Sequence, residues 1–258
     1  MKSIILVATH KEYPMPSDSI YLPVHAGKSV SDVSLPYTGD NTGDHISEKN
    51  PNYCELTALY WAWKNLSADY IGLAHYRRHF SLRKPIFSTK DKFSYVLTSE
   101  EAAALLKKYD IILPKKRNYF IETGYSHYIH AHPAEPLNKL RELLCEQYPE
   151  YVSSFDAAMT STSSHRFNMF LMKRNYFNAY CNWLFSILFA LEKRIDISSY
   201  DTYNQRVYGF LAERLLDVWL LKNALVYREI DVLFMENEHW LKKITAFLKR
   251  KFFPAKKS

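Results

Sequence analysis

The chain of 258 residues is 47% hydrophobic and 16% aromatic, with only 6 Gly and 11 Pro. These values exclude a disordered or fibrous chain and allow one large domain with a substantial core. The three cysteines, Cys54, Cys145 and Cys181, are odd in number and form no C-x-x-C pair. They favour a reducing cytoplasm over a disulfide framework or a zinc site.

The net charge of +7 belongs to the C-terminal end of the chain. Residues 240–258 hold seven of the 34 basic residues and no acid, so 27 basic and 27 acidic residues balance elsewhere. Apolar residues recur at helical spacing between these cations, which predicts a basic amphipathic helix on an anionic membrane surface. A terminal helix packed on its own domain is the alternative. Nucleic acid is not expected, because the body has no basic excess.

We therefore expect a catalytic-type domain at 1–238 and a membrane-associating tail at 239–258. The first predicted strand is Ile4–Thr9, an apolar run too short for a signal peptide or a membrane span. A second short strand is expected at Tyr21–His25. The polar loop Tyr37–Ser47 follows and repeats Thr-Gly-Asp.

The next helix is predicted to begin where Asn52 and Glu55 resemble a capping box. Later strands share short apolar runs and are predicted at Tyr70–His75, Asp110–Leu113, Arg166–Met172 and Val226–Ile230. Later helices share an apolar face and are predicted at Thr98–Lys108, Glu135–Gln147, Val152–Met159, Tyr176–Arg194 and Thr202–Asn223. An aromatic, His-rich loop is expected at Tyr119–His132. This alternation predicts an α/β fold with a mostly parallel sheet flanked by helices.

The strand Tyr70–His75 leads directly into a cluster of cations that includes His75, Arg77 and Arg78. In open α/β sheets, ligands bind outside the carboxyl ends of the strands. The arginine guanidinium offers a planar fork of donors that matches phosphate oxygens. The cluster therefore predicts an anionic ligand, most simply a phosphate. An arginine pair that forms salt bridges with nearby acids is the alternative.

Several common fingerprints are missing from the sequence. There is no G-x-G-x-x-G, no P-loop and no G-x-S-x-G, and no two aspartates stand two residues apart to form D-x-D. This removes the usual signatures of dinucleotide sites, P-loop nucleotide sites and the α/β-hydrolase nucleophile.

Other motifs carry a family resemblance. They are Tyr37-Thr38-Gly39-Asp40-Asn41-Thr42-Gly43-Asp44, Asn50-Pro51-Asn52-Tyr53-Cys54-Glu55-Leu56-Thr57, Gly72-Leu73-Ala74-His75-Tyr76-Arg77-Arg78, Phe167-Asn168-Met169-Phe170 and Gly209-Phe210-Leu211-Ala212-Glu213-Arg214-Leu215-Leu216. In combination they resemble a bacterial family of capsular and exopolysaccharide gene clusters, long known only as domain of unknown function 4422 (DUF4422). The resemblance implies a glycosyltransferase with a GT-A-like fold.

The resemblance also implies the partners. A nucleotide-sugar donor, a UDP-sugar, is expected, and galactofuranose is the sugar it suggests. The expected acceptor is a lipid-linked oligosaccharide, which the basic tail would meet at the inner face of the plasma membrane. The enzyme would then be cytoplasmic and peripherally attached. The alternatives are a non-catalytic lipid- or nucleic-acid-binding module that uses the tail, and a metal-independent phosphotransferase.

In typical GT-A enzymes a strand ends in D-x-D, which holds a divalent metal against the diphosphate. Here the resembling strand ends in His75, Arg77 and Arg78, so we expect these side chains to replace the metal and no metal cofactor to be needed. By the same resemblance, Thr9, His10 and Lys11 at the end of the first strand are candidates for nucleoside or phosphate contacts. A solvated loop lysine is the alternative at position 11.

Inverting sugar transfer needs one carboxylate as general base. Asp201, at the predicted start of a long helix, is the first candidate, and a plain N-cap is its alternative role. Asp40, Asp44 and Glu122 compete for the base. Asp40 and Asp44 are also candidates for ribose or acceptor hydroxyls, although such residues occur in turns simply because they stabilise them. Arg206 lies one turn beyond Asp201, within reach of the site.

The loop at Tyr119–His132 predicts acceptor contacts through Tyr125, His127 and His132. Its histidine spacing also allows a metal site, and plain packing is the third interpretation.

His165 and Asn168 flank a predicted strand and are candidates for lining the donor sugar. Structural residues with satisfied hydrogen bonds are the alternative there.

Overall fold

The computed structural model describes residues 1–83 and 92–236. The predicted tail at 239–258 lies outside the described residues. The strands are β1 (Ser3–Thr9), β2 (Tyr21–His25), β3 (Thr38–Gly39), β4 (Tyr70–His75), β5 (Arg78–Ser81), β6 (Ile111–Pro114), β7 (Arg117–Asn118), β8 (Ser163–Ser164), β9 (Phe170–Lys173) and β10 (Arg228–Phe234). The helices are α1 (Asn50–Tyr53), α2 (Leu56–Asn65), α3 (Ser99–Leu106), α4 (Gly124–Ile129), α5 (Glu135–Gln147), α6 (Val152–Thr160), α7 (Arg174–Glu192) and α8 (Val207–Lys222).

Within these residues an eight-stranded sheet has the order β3-β2-β1-β4-β5-β10-β6-β9, and β7 and β8 form a separate ribbon. β1 is parallel to β2 and β4, and β10 is parallel to β6. β9 runs antiparallel to β4 and β6, and β5 runs antiparallel to β4 and β10. The expectation of a mostly parallel sheet is wrong, because the sheet is mixed. β5 turns back within the cation cluster, and so short a connection can join only antiparallel strands.

Five of the strands close on themselves. β4 pairs with both β5 and β9, and β6 and β10 complete the ring, which makes a small barrel inside the larger sheet. Gly72 is placed where β4 meets β9, opposite Leu171. A Cβ atom at this position would lie 2.6 Å from the Phe170 carbonyl oxygen, so only glycine allows the two backbones to approach this closely.

The core lies on both faces of the sheet, as alternation along β1 shows. Leu6 and Ala8 face the larger cluster, which also contains buried side chains of α2 and α5 to α8. Ile5 and Val7 face the smaller cluster, which contains side chains of α3. This period of two is the pattern expected of a strand buried on both faces.

Some predicted boundaries change. The capping box at Asn52 is replaced by a break at Cys54, whose φ of 53° separates α1 from α2. The helix predicted from Thr202 begins at Val207, after a short 3-10 turn. The strand predicted from Arg166 begins only at Phe170. A short helix, α4, occupies part of the predicted histidine-rich loop.

Of the helices described, none has the length and apolar character needed to cross a membrane.

Candidate functional site

A cavity of about 570 Å³ opens at the carboxyl ends of the parallel strands β1 and β4. The end of β1 contributes Thr9 and His10, and the turn from β4 to β5 contributes His75–Arg78. The other walls come from α1, the loop before β9 and the first turns of α8. The carboxyl ends of neighbouring parallel strands thus meet at a crevice, which is where α/β sheets bind ligands.

The three predicted phosphate-binding residues at the turn from β4 to β5, His75, Arg77 and Arg78, occupy different environments. His75 donates a hydrogen bond from Nε2 to the Phe167 carbonyl oxygen at 2.5 Å, and burial lowers the pKa of its ring. The Arg78 guanidinium lies over the Phe167 ring, 4.2 Å from its centroid. Arg77 forms an ion pair with Glu236 at 3.2 Å. His75 and Arg78 are therefore held against the loop before β9, whereas Arg77 is held by Glu236.

A second group of cations comes from the loop before β9 and from α8. Arg166, Arg206 and Arg214 all line the cavity. Arg214 is only 4% exposed and donates to the Tyr119 hydroxyl at 2.7 Å, while Arg166 lies 3.7 Å from a Glu213 carboxylate oxygen. The Nε atoms of Arg166 and Arg214 are buried and donate no hydrogen bond within the described residues, although the Arg166 Nε lies 3.7 Å from a Glu213 carboxylate oxygen. Buried donors are normally paired, so the Arg214 Nε is the one of these two donors that lacks an acceptor in the described residues.

The pKa of His10 indicates a positive electrostatic potential at the end of β1. Burial lowers the pKa of His10, and the positive charges of Arg77, Lys11 and Arg206 lower it further. Cations from β4 and from the start of α8 therefore converge on this point. The combined potential favours an anionic ligand.

Two carboxylates line the cavity within the described residues, Glu55 and Glu213. Asn168 donates from Nδ2 to Glu55 Oε1 at 2.7 Å and to the Gly209 carbonyl at 3.1 Å. Glu213 accepts a hydrogen bond from the Phe167 amide at 3.2 Å, and its second oxygen faces Arg166. Both oxygens of Glu213 are thus engaged, whereas Glu55 is held through one.

Backbone strain concentrates at the same place. Cys54, Phe167 and Asn168 have φ values of 53°, 73° and 53°. Such conformations cost roughly 1–3 kcal/mol each for residues other than glycine and cluster at functional sites. Cys54 precedes Glu55 and lines the cavity, and Asn168 is the residue that holds Glu55. The strain therefore coincides with the positioning of one carboxylate.

The family model for domain of unknown function 4422 matches residues 4–224. The chain belongs to the DUF4422 family. No curated protein matches it.

The DUF4422 chain is similar to a solved structure, the apo form of the WbbM bifunctional glycosyltransferase. The two are 32% identical with a TM-score of 0.83, and the match covers 92% of this chain and 46% of the WbbM chain. The DUF4422 chain thus spans less than half the length of WbbM.

The cavity of the DUF4422 chain brings together many of the residues predicted from sequence. The predicted residues that line it are Thr9, His10, His75, Arg77, Arg78, His132 and Arg206. The His132 ring stacks on the Phe210 ring with 4.1 Å between their centroids. Its Nδ1 donates a hydrogen bond to the Asn204 side-chain oxygen at 3.1 Å. Lys11 lies beside the cavity, with its Nζ 4.0 Å from Glu236.

The three aspartates predicted as bases lie elsewhere. Asp40 is fully buried and accepts hydrogen bonds from the Gly27 and Lys28 amides, so it holds a turn. Asp44 is exposed and accepts from the Tyr60 hydroxyl. Asp201 accepts from the Asn204 amide at 2.8 Å, in the turn that precedes the 3-10 helix.

The cavity lining does not include three other predicted residues, His165, His127 and Tyr125. His165 is fully buried between Asp217, at 2.5 Å, and Glu229, at 3.0 Å.

His127 stacks on Tyr119 and accepts from Arg214, and its pKa is lowered to about 3, by burial first and then by the charges of Arg166 and Arg214. Tyr125 donates to Asn138 away from the cavity. No cluster of three or more His, Cys, Asp or Glu side chains suited to a metal occurs in residues 1–83 and 92–236.

Sequence reasoning missed four charged residues of the cavity, Glu55, Arg166, Glu213 and Arg214. Glu55 resembles a helix-capping residue, and Glu213 stands in the middle of an apolar helix. A usable signal was available for Glu213 and Arg214, because a charged pair within a buried helix needs partners. Glu55 carries no local signal, since Asn168, which holds it, is 113 residues away along the chain.

Proposed function

We propose that this chain is a glycosyltransferase that moves a sugar from a nucleotide-sugar donor to an acceptor hydroxyl. The observation that carries the proposal is the cation-lined cavity at the carboxyl ends of β1 and β4. The similarity to a bifunctional glycosyltransferase over 92% of the chain supports the same activity. The fold is then GT-A-like, with the small barrel as a local variation.

The diphosphate of the donor is placed between the two groups of cations. Arg78 approaches from the β4 side and Arg206 from α8, and Arg77 and Arg206 both act on His10. Hydrogen bonds to charged groups are worth roughly 1.5–3 kcal/mol each. Several of them would offset the negative charge that develops on the leaving diphosphate.

A divalent metal is not part of this proposal. At the end of β4, where GT-A enzymes carry carboxylates, this chain has His75, Tyr76, Arg77 and Arg78. The guanidinium groups of Arg77 and Arg78 do not fit a divalent cation at that position, because they supply positive charge instead of oxygen ligands. EDTA is expected to leave sugar transfer unchanged, and loss of transfer that Mn²⁺ restores would overturn this part.

Glu55 is the proposed general base. Its carboxylate lines the cavity, and the described residues hold it through a single oxygen, so the other can take the proton of an acceptor hydroxyl. The acceptor oxygen forms a bond to the anomeric carbon as the bond from that carbon to the diphosphate oxygen breaks. The nucleoside diphosphate leaves with the electron pair, and the proton moves to Glu55.

The identities of the donor sugar and of the acceptor, and the site of action, are inferred from the family resemblance. The donor is proposed to be UDP-galactofuranose, and the acceptor a lipid-linked oligosaccharide for capsule or exopolysaccharide. The site of action is then the cytoplasmic face of the plasma membrane.

Calorimetry with UDP, UDP-galactopyranose and UDP-galactofuranose tests the donor site. Arg206→Gln is expected to weaken nucleotide binding about tenfold or more, because one charged contact is lost. Arg194→Gln is the matched control, since Arg194 pairs with Glu146 outside the cavity. If no nucleotide binds the wild-type chain, the proposed function is wrong.

UDP release in the presence of an acceptor tests the base. Glu55→Gln is expected to lower kcat by about 10²-fold or more while donor affinity stays unchanged. Glu213→Gln serves as the comparison within the cavity, and a smaller loss of kcat is expected there. If the wild type transfers sugar and Glu55→Gln does so equally well, the base assignment fails while the transferase assignment stands.

A further inference from the structure

The segment that joins β6 to α4 carries an exposed apolar tip. Phe120 and Ile121 are 83% and 71% exposed. Two adjacent large apolar side chains in water are unfavourable, since burial of each is worth roughly 1.5–3 kcal/mol. A side chain that stays exposed beside another of its kind indicates a surface that binds something apolar.

The backbone holds this tip outward. The Phe120 amide donates to the Asn118 side-chain oxygen at 2.6 Å, and the Ile121 amide donates to the Tyr119 carbonyl at 2.9 Å. Phe120 has a φ of 62°, a conformation that bulky residues rarely adopt. Below the turn, β7 pairs with β8, and the buried Tyr119 side chain anchors the loop. The turn is therefore built to present its apolar side chains.

Cations directly precede the tip. Lys115, Lys116 and Arg117 are consecutive and exposed. Lys115 has one acidic partner, Asp231, at 3.0 Å. Glu122, the acid nearest in sequence, is turned inward, 8% exposed, and its carboxylate lies 2.6 Å from His130. The exposed face of the turn is thus basic as well as apolar.

We propose that residues 115–121 form a membrane-docking turn, which inserts Phe120 and Ile121 into the interface of an anionic lipid bilayer. The charge complementarity decides the occupant. Each Lys or Arg near an anionic leaflet contributes about 1 kcal/mol, and apolar side chains of interfacial segments lie at the boundary between headgroups and acyl chains. The proposal does not depend on the tail at 239–258, nor on sugar transfer.

The turn connects to the cavity through Tyr119. Its hydroxyl accepts a hydrogen bond from Arg214 Nη1, and the Arg166 guanidinium lies 5.9 Å from its ring centroid. Both arginines line the cavity. Docking of the turn therefore places one cavity wall at the lipid surface, where a lipid-carried acceptor would be met.

The test is co-sedimentation of the full chain with vesicles of phosphatidylcholine, alone or mixed with phosphatidylglycerol. The double variant Phe120→Ser, Ile121→Ser is expected to partition at least about tenfold more weakly onto the mixed vesicles. Lys116→Glu is expected to reduce binding to the mixed vesicles only. Val33→Ser is the matched control, because Val33 is also exposed, at 52%, and follows the acidic Asp32.

A second measurement reports insertion directly. Tryptophan fluorescence of Phe120→Trp is expected to be quenched by brominated acyl chains more than that of the wild type, whereas Val33→Trp shows no added quenching. Wild-type sedimentation of the double variant would overturn the proposal, because another part of the chain would then carry the binding. Loss of self-association in the double variant, with lipid binding unchanged, would also overturn it and assign the tip to a second copy.

Discussion

Asn168 holds Glu55 through an amide hydrogen bond of 2.7 Å, and the same Nδ2 donates to the Gly209 carbonyl of α8 at 3.1 Å. Asn168 is 2% exposed and has a φ of 53°. One side chain thus connects the loop before β9, the start of α2 and α8. We assign Asn168 as a positioning residue, because it acts on the acceptor only through Glu55.

Asn168→Asp should separate positioning from folding. Aspartate tolerates the left-handed backbone, but its carboxylate cannot donate to Glu55 and repels it. We expect kcat to fall about tenfold to a hundredfold, with the KM for the donor unchanged. A variant with normal kcat would exclude this role, and Asn138→Asp on the exposed α5 surface is the control.

His10 should report anion binding. In the free chain, burial and then the charges of Arg77, Lys11 and Arg206 lower its pKa. A bound diphosphate places negative charge among these groups, which raises the pKa of His10 again. Binding then takes up a proton, so UDP affinity should increase as pH falls through the range in which His10 titrates.

Calorimetry of UDP binding across pH, in buffers of different ionisation enthalpy, measures this proton uptake. His10→Gln should reduce the uptake and flatten the pH dependence of affinity. If UDP binds the wild type with no proton uptake, the diphosphate does not lie beside His10.

The sequence predicted the cluster at the end of β4 because two strong signals meet there. A buried apolar run ends at His75, and cations follow at once. The same pattern did not predict β5, because residues Arg78–Ser81 were interpreted as part of the cluster. The strand β5 pairs with β10, whose residues lie about 150 positions later in the chain. Local patterns therefore located the crevice but not the mixed sheet that surrounds it.

The proposed base, Glu55, could not be predicted in the same way. Asp201 has the sequence context of an N-cap, and in the structure it accepts a hydrogen bond from the Asn204 amide in the turn before the 3-10 helix. Glu55 has the context of a capping residue, but the break at Cys54 turns its carboxylate to the cavity. The partners of Cys54 and Glu55 are Arg206 and Asn168, 152 and 113 residues away along the chain, and no local pattern encodes contacts of such long range.

His79 should make the fold sensitive to acid. Its ring is fully buried, and burial lowers its pKa from 6.5 to about 4 against a smaller opposing effect of the Tyr76 backbone. Because the unfolded chain binds the proton more readily, the stabilisation is complete above pH 6.5 and is lost as pH falls towards 4. The loss amounts to roughly 3 kcal/mol.

Urea unfolding of His79→Phe at several pH values tests this expectation. Phenylalanine keeps the contacts with Tyr21 and Phe93 but does not titrate, so the variant should lose less stability than the wild type between pH 6.5 and 4. Equal losses would show that other groups control acid unfolding.

Asp217 should be among the most important side chains for stability. Its two carboxylate oxygens accept hydrogen bonds from the backbone amide and from the ring Nδ1 of His165, at 2.9 and 2.5 Å. His165 is fully buried. Asp217→Ala leaves both donors unpaired and His165 beside Glu229 alone. Leaving a buried hydrogen-bond donor unsatisfied costs about 1–3 kcal/mol, and two donors are left here. Asp156→Ala is the control, because Asp156 and Arg141 form a bidentate pair that is 47% exposed on each side, worth about 1 kcal/mol or less. The free energy of unfolding in urea should fall several times further in Asp217→Ala, and similar losses in the two variants would contradict the structural role of this pair.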